Sequence, residues 1–355
     1  MSPSIRRTVT ITQVAQEARV STQTVSRVIN ERPDVAPATR KRVQQVINQL
    51  GYRPNALARS LIHQRSHTLG VVATGLEYYG PSRTLIGVEL RARDLGYSLL
   101  LDLLHHPETE NVDRILNRLL SRQVDGIIWA VAEIGNNRKW LEKARRNIQA
   151  PIIYLSMHPH PDVSVVSIDN RAGGRLATQH LLEQGYRNIG LVNGPLDWWE
   201  ARERQLGWQE VLLAAGRNID PRQISAGNWS AESGAAAIEQ LLENYPEMDA
   251  VFAANDQMAL GVMQVCHRLG RRVPQDLAIV GFDNIPESAY YWPPLTTIAQ
   301  PLNELGCSAV EELSRVIELD QASDETTMDA GVVKRKPQAI VLQPELVVRD
   351  SSMVH

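Results

Sequence analysis

From Thr68 onward the chain alternates short apolar runs with helical stretches, and this pattern constrains the fold more than any other feature. TLGVVAT, SLLLDLL, DGIIWAV, PIIYLS and VSVVSID come first; after Arg171 the pattern restarts with NIGLVNG, DAVFAAND and LAIVGFDN. Between them lie helical stretches such as RTLIGVELRARDLG, RQLGWQEVLLAAG and DQMALGVMQVCHRLG. The runs are apolar throughout, as strands covered on both faces require, and strand-then-helix order gives parallel sheets. Two such blocks predict a two-lobed α/β body, each lobe Rossmann-like, with a cleft at the carboxyl ends of the strands.

With 355 residues, 43% hydrophobic and 22% charged, the chain has room for two or three domains with substantial cores. No apolar run is long enough to cross a bilayer, and MSPSIRRTVT lacks the apolar stretch of a secretory signal. Cys266 and Cys307 make no disulfide framework and fit a reducing compartment. The expectation is a cytoplasmic protein with no membrane partner.

The net charge of −3 hides a segregation. Residues 1–67 hold eleven Lys and Arg against Glu17, Glu31 and Asp34, a balance of +8, which leaves −11 on the rest. A basic head on an acidic body points to a polyanion partner for the head. Apolar periodicity argues that this head is folded and not a solvated tail. Thr10 and Gln13 form a capping box for a helix through Ala18; Ser21 caps a second helix ending near Asn30. Pro37 opens a third, in which Val43, Val46, Ile47 and Leu50 line one face before Gly51 stops it. Only Arg19 and Val20 separate the first two helices, the spacing of a helix-turn-helix. Periodicity alone leaves a generic three-helix bundle equally open. In the helix-turn-helix reading, Thr22, Gln23 and Arg27 face base edges, Gln suiting adenine and Arg guanine. Ser21, Thr24, Ser26 and Asn30 suit phosphates, and Thr12 and Thr39 on the flanking helices join the DNA-contacting set.

The run VTITQVAQEARVSTQTVSRVIN…GYRPNALARSL resembles the DNA-binding head of the lactose-repressor (LacI/GalR) family of transcriptional regulators, nearly position by position. Two departures stand out. Arg19 replaces the usual turn glycine, a change that carries roughly 1 kcal/mol of backbone strain, and Ala36 replaces a common Ser cap. The resemblance implies that Pro54–Leu61, too short to be a stable helix alone, is a hinge helix that forms when paired with its twin over the minor groove. Leu61 then intercalates, with Asn55, Ala58 and Arg59 beside it. It also implies a periplasmic-binding-protein-like body and this division: 1–53 helix-turn-helix domain, 54–67 hinge and linker, 68–345 effector-binding and dimerisation domain, 346–355 tail. No heptad run follows the last strand, so the family's tetramerising tail is expected to be absent.

The body carries no enzyme signature. G-x-G-x-x-G, G-x-x-x-x-G-K-[ST], G-x-S-x-G and H-E-x-x-H do not occur. His158 and His160 sit among prolines and read as a solvated loop, and no metal or cofactor is expected. Asp102, Asp169 and Asp283 end predicted strands and suit hydroxyl recognition as well as catalysis. Seven Trp against two Phe is an unusual ratio for a core. Trp198, Trp199, Trp229 and Trp292 fall in predicted loops, where flat rings beside polar groups suit a sugar; a core or interface role is the alternative for each.

GPLDWWEARERQLGW, GNWSAESG, VFAANDQMALG, VGFDN and PPLTTIAQPLNELG resemble effector-binding segments of the family's lactose-responsive members more than its purine-responsive ones. By matched position, Arg204, Asn255 and Asp283 bond sugar hydroxyls, Trp229 forms a pocket wall, Gly80 and Pro81 contact the glycosidic substituent, and Gln300 lines the cleft. Ser156 stands where the family has Asp, and Glu200 where it has a pocket Ser. The resemblance thus implies a repressor of carbohydrate-utilisation genes, released from a pseudo-palindromic operator by a sugar; a co-repressor-type regulator responding to a purine or other metabolite is the alternative. Reading two half-sites requires a homodimer, for which Arg83, Thr84, Leu85 and Val88 are the expected first-lobe surface.

Overall fold

The computed structural model describes residues 9–53, 65–105, 112–134, 137, 148, 150–326 and 337–353, without the side chains of 321–326. The hinge segment with Asn55, Ala58, Arg59 and Leu61 lies outside the described residues. The chain divides into two units, 1–66 and 67–355.

In the first unit, three helices begin and end at their capping residues: α1 (Ile11–Glu17), α2 (Thr22–Ile29) and α3 (Pro37–Leu50). The Thr10 amide donates to Gln13 Oε1 at 2.8 Å while the Thr10 hydroxyl accepts from the Gln13 amide. Ser21 accepts from the Thr24 amide at 3.1 Å. Ala36 supplies no side-chain cap to α3, and Gly51 ends it at φ 63°. Arg19 does sit in the left-handed region, at φ 52°. Val14, Ala18, Val25, Val28, Val43 and Val46 form one core, and Arg42 Nε ties α3 to the Ala18 carbonyl at 3.0 Å.

In the second unit, the first lobe holds β1 (Thr68–Ala73), α4 (Tyr79–Asp94), β2 (Ser98–Leu103), α5 (Val112–Ser121), β3 (Gly126–Ala130), β4 (Ile152–Leu155) and β5 (Ser164–Ile168). The second holds α6 (Asn170–Glu183), β6 (Ile189–Asn193), α7 (Trp199–Ala214), β7 (Ile224–Ala226), α8 (Ala231–Asn244), β8 (Ala250–Ala253), α9 (Asp256–Arg268), β9 (Ala278–Asp283) and β10 (Thr296–Ala299). Then α10 (Leu302–Thr326) returns to the first lobe, β11 (Ala339–Leu342) joins its sheet, and β12 (Glu345–Val347) joins that of the second. The sheet orders are β11-β5-β4-β3-β1-β2 and β12-β10-β9-β8-β6-β7. Every pairing is parallel except β12 against β10. Each sheet is covered on both faces: α4 and α10 opposite α5 in the first lobe, α6 and α7 opposite α8 and α9 in the second.

Three helix pairs approach closely through reciprocal glycines. A Cβ on Gly87 would collide with the Asn303 carbonyl, and one on Gly306 with that of Thr84; Gly174 and Gly207 do the same for α6 and α7, and Gly234 and Gly261 for α8 and α9.

Three expectations need correction. The lobes are not consecutive in sequence, because the chain crosses between them three times. Residues 346–353 are no tail: Val347 completes β12, and the fully buried Ser351 and Ser352 anchor β10. There the Thr296 amide donates to Ser351 Oγ at 2.8 Å, and Ser352 Oγ lies 2.7 Å from Thr296 Oγ1 and 2.8 Å from His180 Nε2. Finally, α4 cannot offer Thr84 and Val88 to a partner, since both are buried, and Leu85 lines the cavity described below.

Candidate functional site

On α2 of the first unit, Thr22, Gln23 and Arg27 are exposed, and one helical turn separates Gln23 from Arg27, so both project from one face. Thr12, Ser21 and Asn30 are exposed, with Thr24, Ser26 and Thr39 half-buried. The Ser21 and Thr24 hydroxyls lie 2.9 Å apart in the cap. Arg27 pairs with Asp34 at 3.3 Å, both about half exposed; such a surface pair is worth about 0–1 kcal/mol and yields easily to a stronger partner.

In the second unit the lobes enclose a cavity with about 990 Å³ of empty space, its mouth included. Gly80, Pro81, Ser156, Trp198, Glu200, Arg204, Trp229, Asn255, Asp283 and Gln300 all line it. Trp292 does not: it is 94% exposed, because the adjacent Tyr291 takes the inward position, packing on the second-lobe core with its hydroxyl donating to the Asp256 carbonyl at 3.4 Å.

Arg204, on α7, is buried and held through Nε and Nη1. Its Nε donates to Asn170 Oδ1 at 2.8 Å and Nη1 to the Ala254 carbonyl at 2.5 Å. Its guanidinium lies 3.7 Å from the Phe282 ring centroid and 5.5 Å from that of Trp229, with Asp283 at 3.9 Å. Burial lowers the Arg204 pKa despite Asp283. Asp283 accepts from Gln300 Nε2 at 2.6 Å, and burial pushes its carboxyl up to about 6 against the pull of Arg204. Asn255 caps α9 through the Met258 amide at 2.8 Å and donates to the Trp229 carbonyl at 2.9 Å, which fixes the ring's loop. Glu200, one turn before Arg204, is raised to about 7 by burial. Ser156 (φ 52°), Trp229 (φ 75°) and Asp283 (φ 109°) sit in the left-handed region; strained backbone of this kind persists where surrounding structure holds a side chain in place for use.

The lobes also touch across the cleft. Trp198 bridges to Ile134, and the Trp199 amide donates to the Glu133 carbonyl at 3.0 Å. The Trp198 ring meets Tyr78 edge-on at 5.9 Å and Trp229 at 5.8 Å.

The other sequence candidates lie elsewhere. Asp102 pairs with Arg118, Asp169 caps α6 through the Ala172 amide at 2.7 Å, and the His160 ring lies near Asp162. No group of three or more His, Cys, Asp or Glu among the described residues could hold a metal. None of their helices is long and apolar enough to cross a membrane. Sequence reading missed Tyr78, Tyr79, Asn170 and Gln257, which also line the cavity; the two tyrosines directly precede Gly80 and were the signal available.

Comparison with known proteins gives two family matches: bacterial regulatory proteins, lacI family, over residues 10–55, and a periplasmic binding protein-like domain over 178–352. The HTH-type transcriptional regulator CelR of Thermobifida fusca is 35% identical over 98% of this chain and 99% of its own. The HTH-type transcriptional repressor PurR of Aliivibrio salmonicida is 36% identical over 86% and 91%. Among solved structures, a CelR–cellobiose complex superposes with a TM-score of 0.68 at 33% identity, covering 97% of this chain and 99% of that one. A Lac repressor dimer bound to operator and the anti-inducer ONPF superposes at 0.83 and 30%, covering 98% and 100%.

Proposed function

Because the chain belongs to the lacI family of bacterial regulatory proteins, we propose that it is a DNA-binding transcriptional repressor of carbohydrate-utilisation genes whose grip on its operator is loosened by a sugar or glycoside held between the lobes. Thr22, Gln23 and Arg27 read base edges, with Thr12, Ser21, Thr24, Ser26, Asn30 and Thr39 at the backbone. Two copies bind a pseudo-palindromic site as a homodimer, in the cytoplasm where the nucleoid lies. In the hinge proposed at 54–67, Asn55, Ala58, Arg59 and Leu61 meet the minor groove. The body binds its ligand without chemical turnover.

One observation carries the sugar assignment: Arg204, Asp283, Asn255 and Gln300 converge on one cavity beside the Trp229 ring. A carboxylate accepts from hydroxyls, a guanidinium and amides donate to them, and an indole face covers the C–H surface of a pyranose. Solved relatives in complex with cellobiose and with operator support the same pairing of ligand and DNA.

Electrophoretic shift of the full chain on inverted-repeat duplexes, with and without a panel of mono- and disaccharides and purine bases, tests this. A sugar that releases the duplex is the expected result, and Arg27→Ala should cost about 1–3 kcal/mol at one base position. A purine that tightens binding would establish the co-repressor alternative. No preference for any inverted repeat over random duplex at moderate salt refutes the proposal.

A further inference from the structure

Asp283 owes its place in the cavity to a turn that its backbone would not choose. It closes β9 at φ 109° and Asn284 follows at φ 51°, two successive residues with a Cβ in the left-handed region. Such conformations persist only where the surroundings over-determine them.

One constraint comes from Arg349, just beyond β12. Its backbone is fixed on β10: the Arg349 amide donates to Thr296 Oγ1 and the Thr296 hydroxyl donates to the Arg349 carbonyl, each at 2.8 Å. From that frame the guanidinium spans the loop between β9 and β10. Nη2 donates to Asn284 Oδ1 at 2.7 Å at the loop's start, and Nη1 donates to the Leu295 carbonyl at 2.7 Å at its end and to Ser288 Oγ at 3.3 Å between them. A planar fork of fixed donors serves such separated acceptors together, which an ammonium on a flexible stem does not.

Asp256, fully buried, holds the same turn from the other side. Its Oδ2 accepts from the Ile285 amide at 2.9 Å and its Oδ1 from the Thr297 hydroxyl at 2.6 Å, while Thr297 Oγ1 accepts from the Asn284 amide at 3.3 Å. The carboxyl lies so close over β9 that a Cβ on Gly281 would collide with it. Asn255, Asp283 and Gln300 line the cavity; Asp256, Asn284, Thr297 and Arg349 do not.

We infer that Arg349 is a positioning residue of the ligand site: by joining the two ends of the β9–β10 loop it holds the strained Asp283–Asn284 turn, and with it the Asp283 carboxyl and its partner Gln300, where they meet a ligand. The clamp is independent of what the ligand is, and its effect on affinity rests on the sugar reading above. Binding groups must be held within about 0.5 Å of their productive geometry by supporting contacts of this kind, so a loosened turn costs affinity before it costs the fold.

Calorimetric titration of the full chain with cellobiose, lactose, ribose and galactose, read on the tightest of them, tests this in two backgrounds. In the parent chain Arg349→Ala should weaken that sugar about tenfold. With Asn284→Gly already in place, the turn is relaxed at φ 51° and its acceptor is gone, so the same change should cost only about threefold or less. The urea midpoint should fall in both backgrounds, because the bonds to Leu295 and Ser288 do not depend on Asn284. Arg349→Lys is read in the same way should Arg349→Ala fail to fold. An affinity within about twofold of the parent, or an equal loss in both backgrounds, overturns the inference. Hydrogen exchange without ligand reads the clamp alone: the Asn284 and Ile285 amides should exchange about tenfold faster in Arg349→Ala, and unchanged exchange overturns the inference. If no sugar of the panel binds the parent chain, the sugar reading fails while exchange still decides the clamp.

Discussion

Gly173→Ala should disturb the ligand site from behind. Gly173 lies in α6, and a Cβ there would stand 2.6 Å from Cε2 and Cζ of Phe282 and 3.3 Å from Ile298. Carbon atoms at rest sit about 3.5–4.0 Å apart, so the ring must retreat by about 1 Å. It has little room, being fully buried and tilted against Phe252 at a centroid distance of 6.2 Å. Its face also carries the Arg204 guanidinium at 3.7 Å. Overpacking of this kind costs about 1–3 kcal/mol, whereas replacing a helical glycine by alanine gains about 1 kcal/mol. The net should be a loss of roughly 1 kcal/mol, with a several-fold weaker ligand affinity as Arg204 follows the ring. Gly80→Ala is the control for stability: the nearest atom to its Cβ is Leu302 Cδ2 at 3.9 Å, so only the helical gain remains. Urea midpoints of the full chain, followed by tryptophan fluorescence, separate the two. If Gly173→Ala is as stabilising as Gly80→Ala, the packing argument is wrong.

Two further outcomes follow from single features. Arg19→Gly should stabilise the head by about 1 kcal/mol, because φ 52° strains a residue with a Cβ and does not strain glycine; calorimetry that shows no rise in the first unit's melting temperature counts against the strain. Burial raises Asp283 to about 6, Glu200 to about 7 and Asp256 to about 8. Each binds more protons folded than unfolded, so its contribution is complete below about pH 4 and is lost as pH rises through 6 to 8. Asp256→Asn should flatten that decline, since the Thr297 hydroxyl and Ile285 amide that Asp256 receives still leave it largely neutral; a slope as steep as in the parent would refute this.

What the chain announces locally is legible because its cause is local. Thr10, Ser21 and Gly51 mark helix ends through bonds spanning four residues or fewer, Pro37 does so by its fixed φ and missing N–H, and the apolar strands reflect burial on both faces. The return of α10 to the first lobe is not legible in the same way. Its packing against α4 depends on Gly87 meeting Gly306, a fit between helices more than two hundred residues apart. The same limit explains Trp292 and Trp229. Both are loop tryptophans in sequence, yet one is exposed and the other is seated over Gly194, where any Cβ would occupy the indole's place. Asn170 was missed because its role depends on Arg204, thirty-four residues on.

A ligand can change DNA affinity only by binding one arrangement of the protein better than another, so the position of the cavity matters as much as its chemistry. Two of the three crossings between lobes run along its wall: Ile168 and Asn170 flank the first, and Gln300 and Leu302 the second. Asn170 and Gln300 are also the partners of Arg204 and Asp283. A sugar bonded to that arginine and carboxylate, as proposed, would therefore act on the segments about which the lobes would turn. Among the described residues, the contacts opposing such a turn include the bridge between Ile134 and Trp198, the Trp199 amide on Glu133, the Arg202–Glu133 pair at 3.9 Å, and the edge-on rings of Tyr78 with Trp198 and of His158 with Trp199. Coupling of about 1–3 kcal/mol, usual for regulation by a ligand, is within reach of gaining or losing two or three bonds there. Tyr78→Ala would remove the first-lobe ring from this contact without touching Arg204. It should change the ratio of DNA affinity with and without sugar more than it changes sugar affinity itself, and parallel shift assays and titrations in which both change equally would locate the coupling elsewhere.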